Sequence, residues 1–293
     1  MSPYAAIRPW LQLVRMPAVF STWSNILAAH LIATGGDPEW RLLGLQIGIS
    51  SALYWGGMAL NDCFDLAEDR RERPDRPLPA GRVPVAAAWA LGLGLLALAL
   101  LLGLASGETI AWIAVLLAAA VLLYDGVLKH RILLGPAVMG LCRYLNWLLG
   151  LAATPISATG LVLPLPVLLY TAGVSVLSGL ETGGGSPLRL VGTQWLLAGA
   201  ALAVVGLHLG GIQPQPLGLL GLAALTAFVG ARLRQTFARP EPGDVQRGVK
   251  VLLLGMIALD GVLVLGDGQW VAAGGLLLLL IPGRMLARRL YIT

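Results

Sequence analysis

Residues 61–83, NDCFDLAEDRRERPDRPLPAGRV, hold the densest charge in a chain that is 57% hydrophobic and 12% charged. On a continuous helix, Asn61, Asp62, Asp65, Glu68, Asp69 and Glu72 fall within roughly a third of the circumference, with Cys63, Phe64, Leu66 and Ala67 on the other side. Carboxylates stacked at i, i+3 and i+4 repel one another unless positive charge lies among them. A divalent cation meets that need: one or two carboxylates, with water and phosphate oxygens filling the other positions, suit Mg²⁺. The plain alternative is a solvated acidic face neutralised by Arg70, Arg71, Arg73, Arg76 and Arg82. Two features favour the metal. Asn61-Asp62 sits at the end of an apolar run, and Arg76-Pro77-Leu78-Pro79-Ala80-Gly81-Arg82 is a proline-stiffened basic loop able to fold over an anionic group.

The elements that position these residues must lie in a membrane. Mean hydropathy is +0.79 over the whole chain, and apolar segments of about bilayer-spanning length recur along it. The candidate spans are residues 17–34, 42–60, 84–104, 109–127, 133–153, 161–180, 191–209, 217–232, 249–265 and 270–284. Residues 1–293 therefore read as a single all-helical polytopic domain of nine to ten spans, without the alternating pattern of a barrel. Segment 17–34 is read as a retained first helix and not a cleaved signal. Basic residues follow spans two, four, six and eight and end the chain, at Arg70 to Arg82, Lys129 and Arg131, Arg189, Arg232 to Lys250, and Arg284 to Arg289. Arg41 falls on the opposite side. Ten spans with both termini in the cytoplasm satisfy that asymmetry, and nine break it at the C-terminus. The same rule accounts for the net charge of +5, so a nucleic-acid partner is set aside. Cys63 and Cys142 show neither a disulfide framework nor a zinc spacing. Trp10, Trp40 and Trp270 lie near span ends, as interfacial anchors do.

Asn61-Asp62-x-x-Asp65-x-x-x-Asp69 followed by Arg-Pro-x-Arg-Pro-Leu-Pro-x-Gly-Arg resembles the first signature of the UbiA superfamily of intramembrane prenyltransferases. Those helical enzymes use Mg²⁺ to ionise an isoprenyl diphosphate and alkylate an acceptor. Arg15 and Pro17 look like that family's early Arg-Pro element, with Met16 intervening. Tyr124-Asp125-Gly126-Val127-Leu128-Lys129 is similar to its Tyr-Pro-x-x-Lys-Arg element, but is one residue longer and has Asp125 where proline is usual. A second aspartate-rich motif is expected after span six. Here Ser178-Gly179-Leu180-Glu181-Thr182-Gly183-Gly184-Gly185 keeps one carboxylate, Glu181. With Gly140-Leu141-Cys142-Arg143-Tyr144-Leu145-Asn146 in span five, this looks like the EboC-like branch. The resemblance covers spans one to six, and the remainder by hydropathy.

The resemblance implies metal ligands at Asp62, Asp65, Asp69 and Glu181, and a diphosphate site drawn from Asn61, Arg15, Arg70, Arg76, Arg82, Arg143 and Asn146. Lys129 lies on the acidic side, where a leaving diphosphate needs positive charge, unless it only sets topology. Tyr124 is either a ring against an allylic cation or an interfacial tyrosine. Arg143, inside span five, needs a wet cavity or a partner such as Glu181 or another buried acid. Asn146 shares its face. Asp260 has no evident partner and is set aside, and His30 reads as packed.

The expected activity is a Mg²⁺-dependent transfer of an isoprenyl group from a prenyl diphosphate to a small acceptor, at the cytoplasmic face of the plasma or inner membrane. The competing function is a membrane carrier or binding protein that keeps the fold without efficient catalysis. A CDP-alcohol phosphotransferase is set aside, because Asp125-Gly126 is not followed by that family's pattern.

Overall fold

The computed structural model describes residues 3–181, 186–238 and 240–290, with the side chains of residues 3–5, 288 and 289 left aside. Every described element is a helix. In chain order, α1 (Pro3–Leu13), a 3₁₀ turn (Met16–Val19) and α2 (Phe20–Ala33) precede α3 (Trp40–Phe64) and the short α4 (Leu66–Glu72). Then come α5 (Val85–Ser106), α6 (Glu108–Leu123), a π-helical turn (Tyr124–Leu128) and α7 (Leu134–Leu151). The rest is α8 (Ala158–Val162), α9 (Leu165–Ser178), α10 (Pro187–Leu209), α11 (Pro216–Ala238), α12 (Pro242–Gly266), α13 (Trp270–Leu277) and α14 (Leu280–Leu290).

Among the described residues, seven helical segments are long and apolar enough to cross a membrane: Val85–Ser106, Glu108–Leu128, Ala158–Ser178, Pro187–Leu209, Pro216–Ala238, Pro242–Gly266 and Trp270–Ala287. The first, second and fifth expected spans correspond to α2, α3 and α7. Helix α2 has only 14 residues, and α3 and α7 bring Gln46, Ser50, Asp62, Arg143 and Asn146 into the bundle, which lowers their apolar character.

The long helix α12 packs against α2, α9, α11 and α13 and buries Leu252, Leu263 and Val264 completely. Helix α3 lies along α5, α2 along α7, and α9 between α7 and α10. Without a hydrophobic force between helices in lipid, such pairs depend on close van der Waals contact. Gly56 and Gly92 provide it for α3 and α5: a Cβ on Gly92 would stand 2.6 Å from Leu60 Cγ, and one on Gly56 3.0 Å from the Gly92 carbonyl. The outer surface exposes Leu101, Leu104, Trp112, Leu202 and Leu209, side chains suited to lipid tails.

Three expectations are corrected. The acidic segment is not one helix: it breaks at Asp65 (φ −86, ψ 0) between α3 and α4. The sixth segment is interrupted before α9, where Pro164 and Pro166 remove two backbone donors. The basic connection after the eighth segment is short, because α12 starts at Pro242 and takes Arg247 and Lys250 into its first turns. Arg239 and residues 182–185 lie outside the described residues.

Candidate active site

The site is built where α3 ends. Arg15 is the sole non-glycine residue with positive φ among the described residues, at φ 48 and ψ 49. That left-handed backbone costs on the order of 1–2 kcal/mol. It caps the 3₁₀ turn before Pro17 and sends the guanidinium to Asp62, Nη2 donating to Oδ1 at 3.0 Å.

The basic loop after α4 folds back because Leu78 and Val83 bury themselves with Leu13, Ala59, Cys63 and Ala88. Arg82 donates to the Asp75 carbonyl across the loop. This places Arg76 between two buried carboxylates, its Nη1 at 2.7 Å from Asp69 Oδ2 and 3.6 Å from Asp62 Oδ1. Arg73 stands 3.7 Å from Asp69 Oδ1.

A third set comes from the π turn. The Lys129 amide reaches back five residues to the Tyr124 carbonyl at 2.9 Å, a wider loop than an α turn. The extra residue of the Tyr124–Lys129 element is taken up there. The Lys129 ammonium then pairs with Asp65, and the buried Asp125 carboxylate accepts from Asn61 Nδ2 at 2.7 Å. Glu181, half-buried just past α9, faces the same cations: burial pushes its carboxyl above the usual range, opposed by Arg73, Lys250, Arg15 and Arg76.

Among the described residues, one group has the reach for a metal ion. Single ligand atoms of Asp65, Glu68 and His130 all lie within 4.8 Å of one another, and two carboxylates fit a hard divalent ion. Asp62 and Asp69 instead accept guanidinium groups.

Beneath this cluster lies a cavity of about 100 Å³. Tyr124, Asp125 and Met58 line it near the carboxylates, and Leu53, Leu117 and Val121 form apolar walls. Ser50, Thr22, Arg143 and Asn146 line its other end, the floor, with Ser50 roughly three helical turns from Asp62 along α3 and bonded to Asn146.

A profile described as the UbiA prenyltransferase family matches residues 22–181, more than half of the chain, including α3, α4, the basic loop and the π turn. The chain belongs to the UbiA prenyltransferase family. Among relatives, a digeranylgeranylglyceryl phosphate synthase of Ignicoccus hospitalis is 32% identical over 244 residues, covering 78% of this chain and 79% of that one. The enzyme of the same name from Methanopyrus kandleri is 29% identical, over 86% of this chain and 98% of its own. A solved digeranylgeranylglyceryl phosphate synthase shares the fold with a TM-score of 0.70 at 20% identity, covering 89% and 98% of the two chains. A UbiA homologue from Archaeoglobus fulgidus, solved with DMAPP and Mg²⁺, superposes with a TM-score of 0.62 at 15% identity, covering 83% and 98%.

Against the UbiA pattern, the structure gathers Arg15, Asn61, Asp62, Asp65, Asp69, Arg76, Tyr124 and Lys129 at one end of the bundle, with Glu181 turned toward them. Arg70 is exposed and enters no ion pair among the described residues. Arg82 is exposed and engaged by Asp75. Arg143 and Asn146 do not join the carboxylates but line the cavity floor. Arg143 bonds Asn25 and Ser21 and not Glu181, and Asn146 bonds Ser50 and the Thr22 carbonyl. His30 is fully buried, its Nδ1 2.7 Å from Gln46 Oε1.

Two residues outside the sequence-derived set stand at this site, Asp125 and His130, and a third, Asp260, is buried behind it against Ser24, Asn25 and Trp147. Asp125 and Asp260 are acids inside apolar runs, and that cost was the available signal. His130 gave none.

Proposed function

We propose that this protein is a Mg²⁺-dependent intramembrane prenyltransferase that moves an isoprenyl group from a prenyl diphosphate to a small acceptor. The observation that carries this reading is the stack of carboxylates, each faced by a cation from another segment, directly above a mostly apolar cavity. In the reaction the C1–O bond to diphosphate breaks, a bond from the acceptor to C1 forms, and the acceptor loses a proton.

Asp65, with Glu68 and His130 beside it, would hold Mg²⁺, joined by Asp62, Asp69 and Glu181 where Arg15 and Arg76 turn from those carboxylates to the diphosphate. When bound, the ion supplies positive charge to the leaving diphosphate. Arg15, Arg76 and Lys129 meet the diphosphate oxygens as negative charge builds on them. The Tyr124 ring, in the cavity wall, faces the allylic carbons as they become cationic. Leu53, Leu117 and Val121 keep water from that cation.

The charge asymmetry supports ten spans, both termini in the cytoplasm and a site opening to the cytoplasmic face of the plasma or inner membrane. Within the family, Glu181 as a lone carboxylate and the Gly140 to Asn146 pattern support the EboC-like branch, while the relatives' names support digeranylgeranylglyceryl phosphate synthesis. The acceptor separates these two. Geranylgeranylglyceryl phosphate is the first one to try.

The test is incubation of purified protein with labelled prenyl diphosphates, Mg²⁺ and an acceptor panel. A labelled lipid product that disappears with chelator is the expected result. Failure to bind or turn over any prenyl diphosphate would falsify the proposal.

A carrier is the second reading, favoured by one observation: Asp62 and Asp69 are already held by Arg15 and Arg76. Pathway function that survives both Asp62→Ala and Asp65→Ala would establish it over catalysis.

A further inference from the structure

Asp260, in the last third of α12, is fully buried. Its carboxylate accepts from Ser24 Oγ, from Asn25 Nδ2 at 2.9 and 2.8 Å, and from Trp147 Nε1 at 3.0 Å. A carboxylate only accepts, so Asn25 must turn its NH₂ toward Asp260. The Asn25 carbonyl is thereby left for Arg143, whose Nη1 donates to it at 3.2 Å while Nη2 donates to Ser21 Oγ at 2.9 Å. The guanidinium lines the cavity floor with Asn146, and two of its five N–H groups are used by these bonds.

Two facts decide what the floor takes. The first is depth. Arg143 bonds Ser21 and Asn25 on α2 and lines the cavity beside Asn146, which bonds Ser50 roughly three turns along α3 from Asp62, whereas Arg15, ahead of the 3₁₀ turn, sits on Asp62. A diphosphate held by Arg15, Arg76 and Lys129 is therefore not at Arg143. The second is charge. One guanidinium and one carboxylate share the floor network, so it offers oriented donors without net positive charge. A hydrocarbon tail offers no acceptor to the Arg143 guanidinium where it lines the cavity, and a diphosphate would bring its charge beside the buried Asp260 carboxylate that Arg143 faces through Asn25. A hydroxyl, carbonyl or ether oxygen satisfies them.

We propose that Arg143 binds a neutral oxygen of the acceptor at the cavity floor, and that Asp260, acting through Asn25, is the positioning residue that aims it. This rests on the transferase reading above.

Steady-state kinetics of the purified protein with Mg²⁺ test it, with geranylgeranyl diphosphate as donor and geranylgeranylglyceryl phosphate as acceptor probe. Arg143→Met and Asp260→Asn are expected to raise the acceptor KM about 10-fold or more, while the donor KM stays within about 3-fold. The exchange Asn25→Asp with Asp260→Asn returns one carboxylate to the pair and recovers most of the acceptor KM. Arg143→Lys leaves the Asp260 contacts to Ser24, Asn25 and Trp147 intact, so it decides the matter even where Asp260→Asn fails to fold. Its acceptor KM lies between wild type and Arg143→Met. A rise in donor KM instead, or no change in either KM for Arg143→Lys and Arg143→Met, overturns this proposal alone. Absence of any transfer by the wild-type protein overturns the transferase reading and this proposal together.

Discussion

Asn61 Nδ2 donates to Asp125 Oδ1 at 2.7 Å, tying the end of α3 to the π turn that Lys129 caps. The bond joins residues 64 apart in sequence. It sets how the acidic segment faces the lysine, because Lys129 pairs with Asp65 one turn along from Asn61.

Asp125→Ala removes that tether without touching a carboxylate of the acidic segment. Outer groups of this kind typically change metal affinity or activity about 10–100-fold. The expected result is a loss of that size in Mg²⁺-dependent transfer, with Asp125→Asn recovering part of it. Prenyl transfer measured across a Mg²⁺ titration checks this, and wild-type Mg²⁺ dependence in Asp125→Ala would remove the tether from the mechanism.

Arg76 stands between two carboxylates that are 2% and 5% exposed. Removing one partner of a buried pair typically costs about 3–5 kcal/mol. The Arg76 side chain keeps 27% exposure, so water offsets part of that, and the loss expected for Arg76→Ala is about 2–3 kcal/mol. Thermal unfolding in detergent reads it directly. An unchanged midpoint would mean that Arg76 serves the substrate only.

Glu181 is the group whose protonation is open to a direct check. Burial raises its folded pKa above the ordinary 4.5. The folded state therefore binds the proton more tightly than the unfolded one. Its contribution is fully favourable below the ordinary carboxylate value and is lost as pH rises through the raised one. Glu181→Gln should abolish this drift and be the more stable protein near neutral pH. Paired melting curves from roughly pH 4 to 7 test the sign, and a drift that persists in the variant assigns it elsewhere.

Gly150 on α7 meets α2 without space to spare: an added Cβ would lie 2.8 Å from the Ile26 carbonyl oxygen and 2.6 Å from Ala29 Cβ. Backbone at that contact has little room to yield. Gly150→Ala should cost about 1–3 kcal/mol, the usual range for overpacking, and should also weaken transfer because α2 and α7 carry Asn25 and Arg143. Stability and acceptor KM measured on the same preparation show whether the two effects move together.

The amino-acid sequence by itself determined the helical membrane fold and the acidic segment with its basic loop, since both are local: hydropathy runs, i, i+3 and i+4 carboxylates, and a proline-stiffened turn. It also marked the Tyr124 to Lys129 element as one residue too long, but only the folded chain resolves that residue into a π turn with Asp125 facing inward. Tertiary structure alone decided which cation meets which carboxylate, with Arg15 reaching Asp62 across 47 residues and Lys129 reaching Asp65 across 64. It alone placed Arg143 and Asn146 on the cavity floor and gave Asp260 partners 235 and 236 residues away. The physical reason is range. Helix periodicity is written in adjacent residues, whereas buried charges are satisfied by whichever polar groups the packing of α2, α7 and α12 brings within hydrogen-bonding distance.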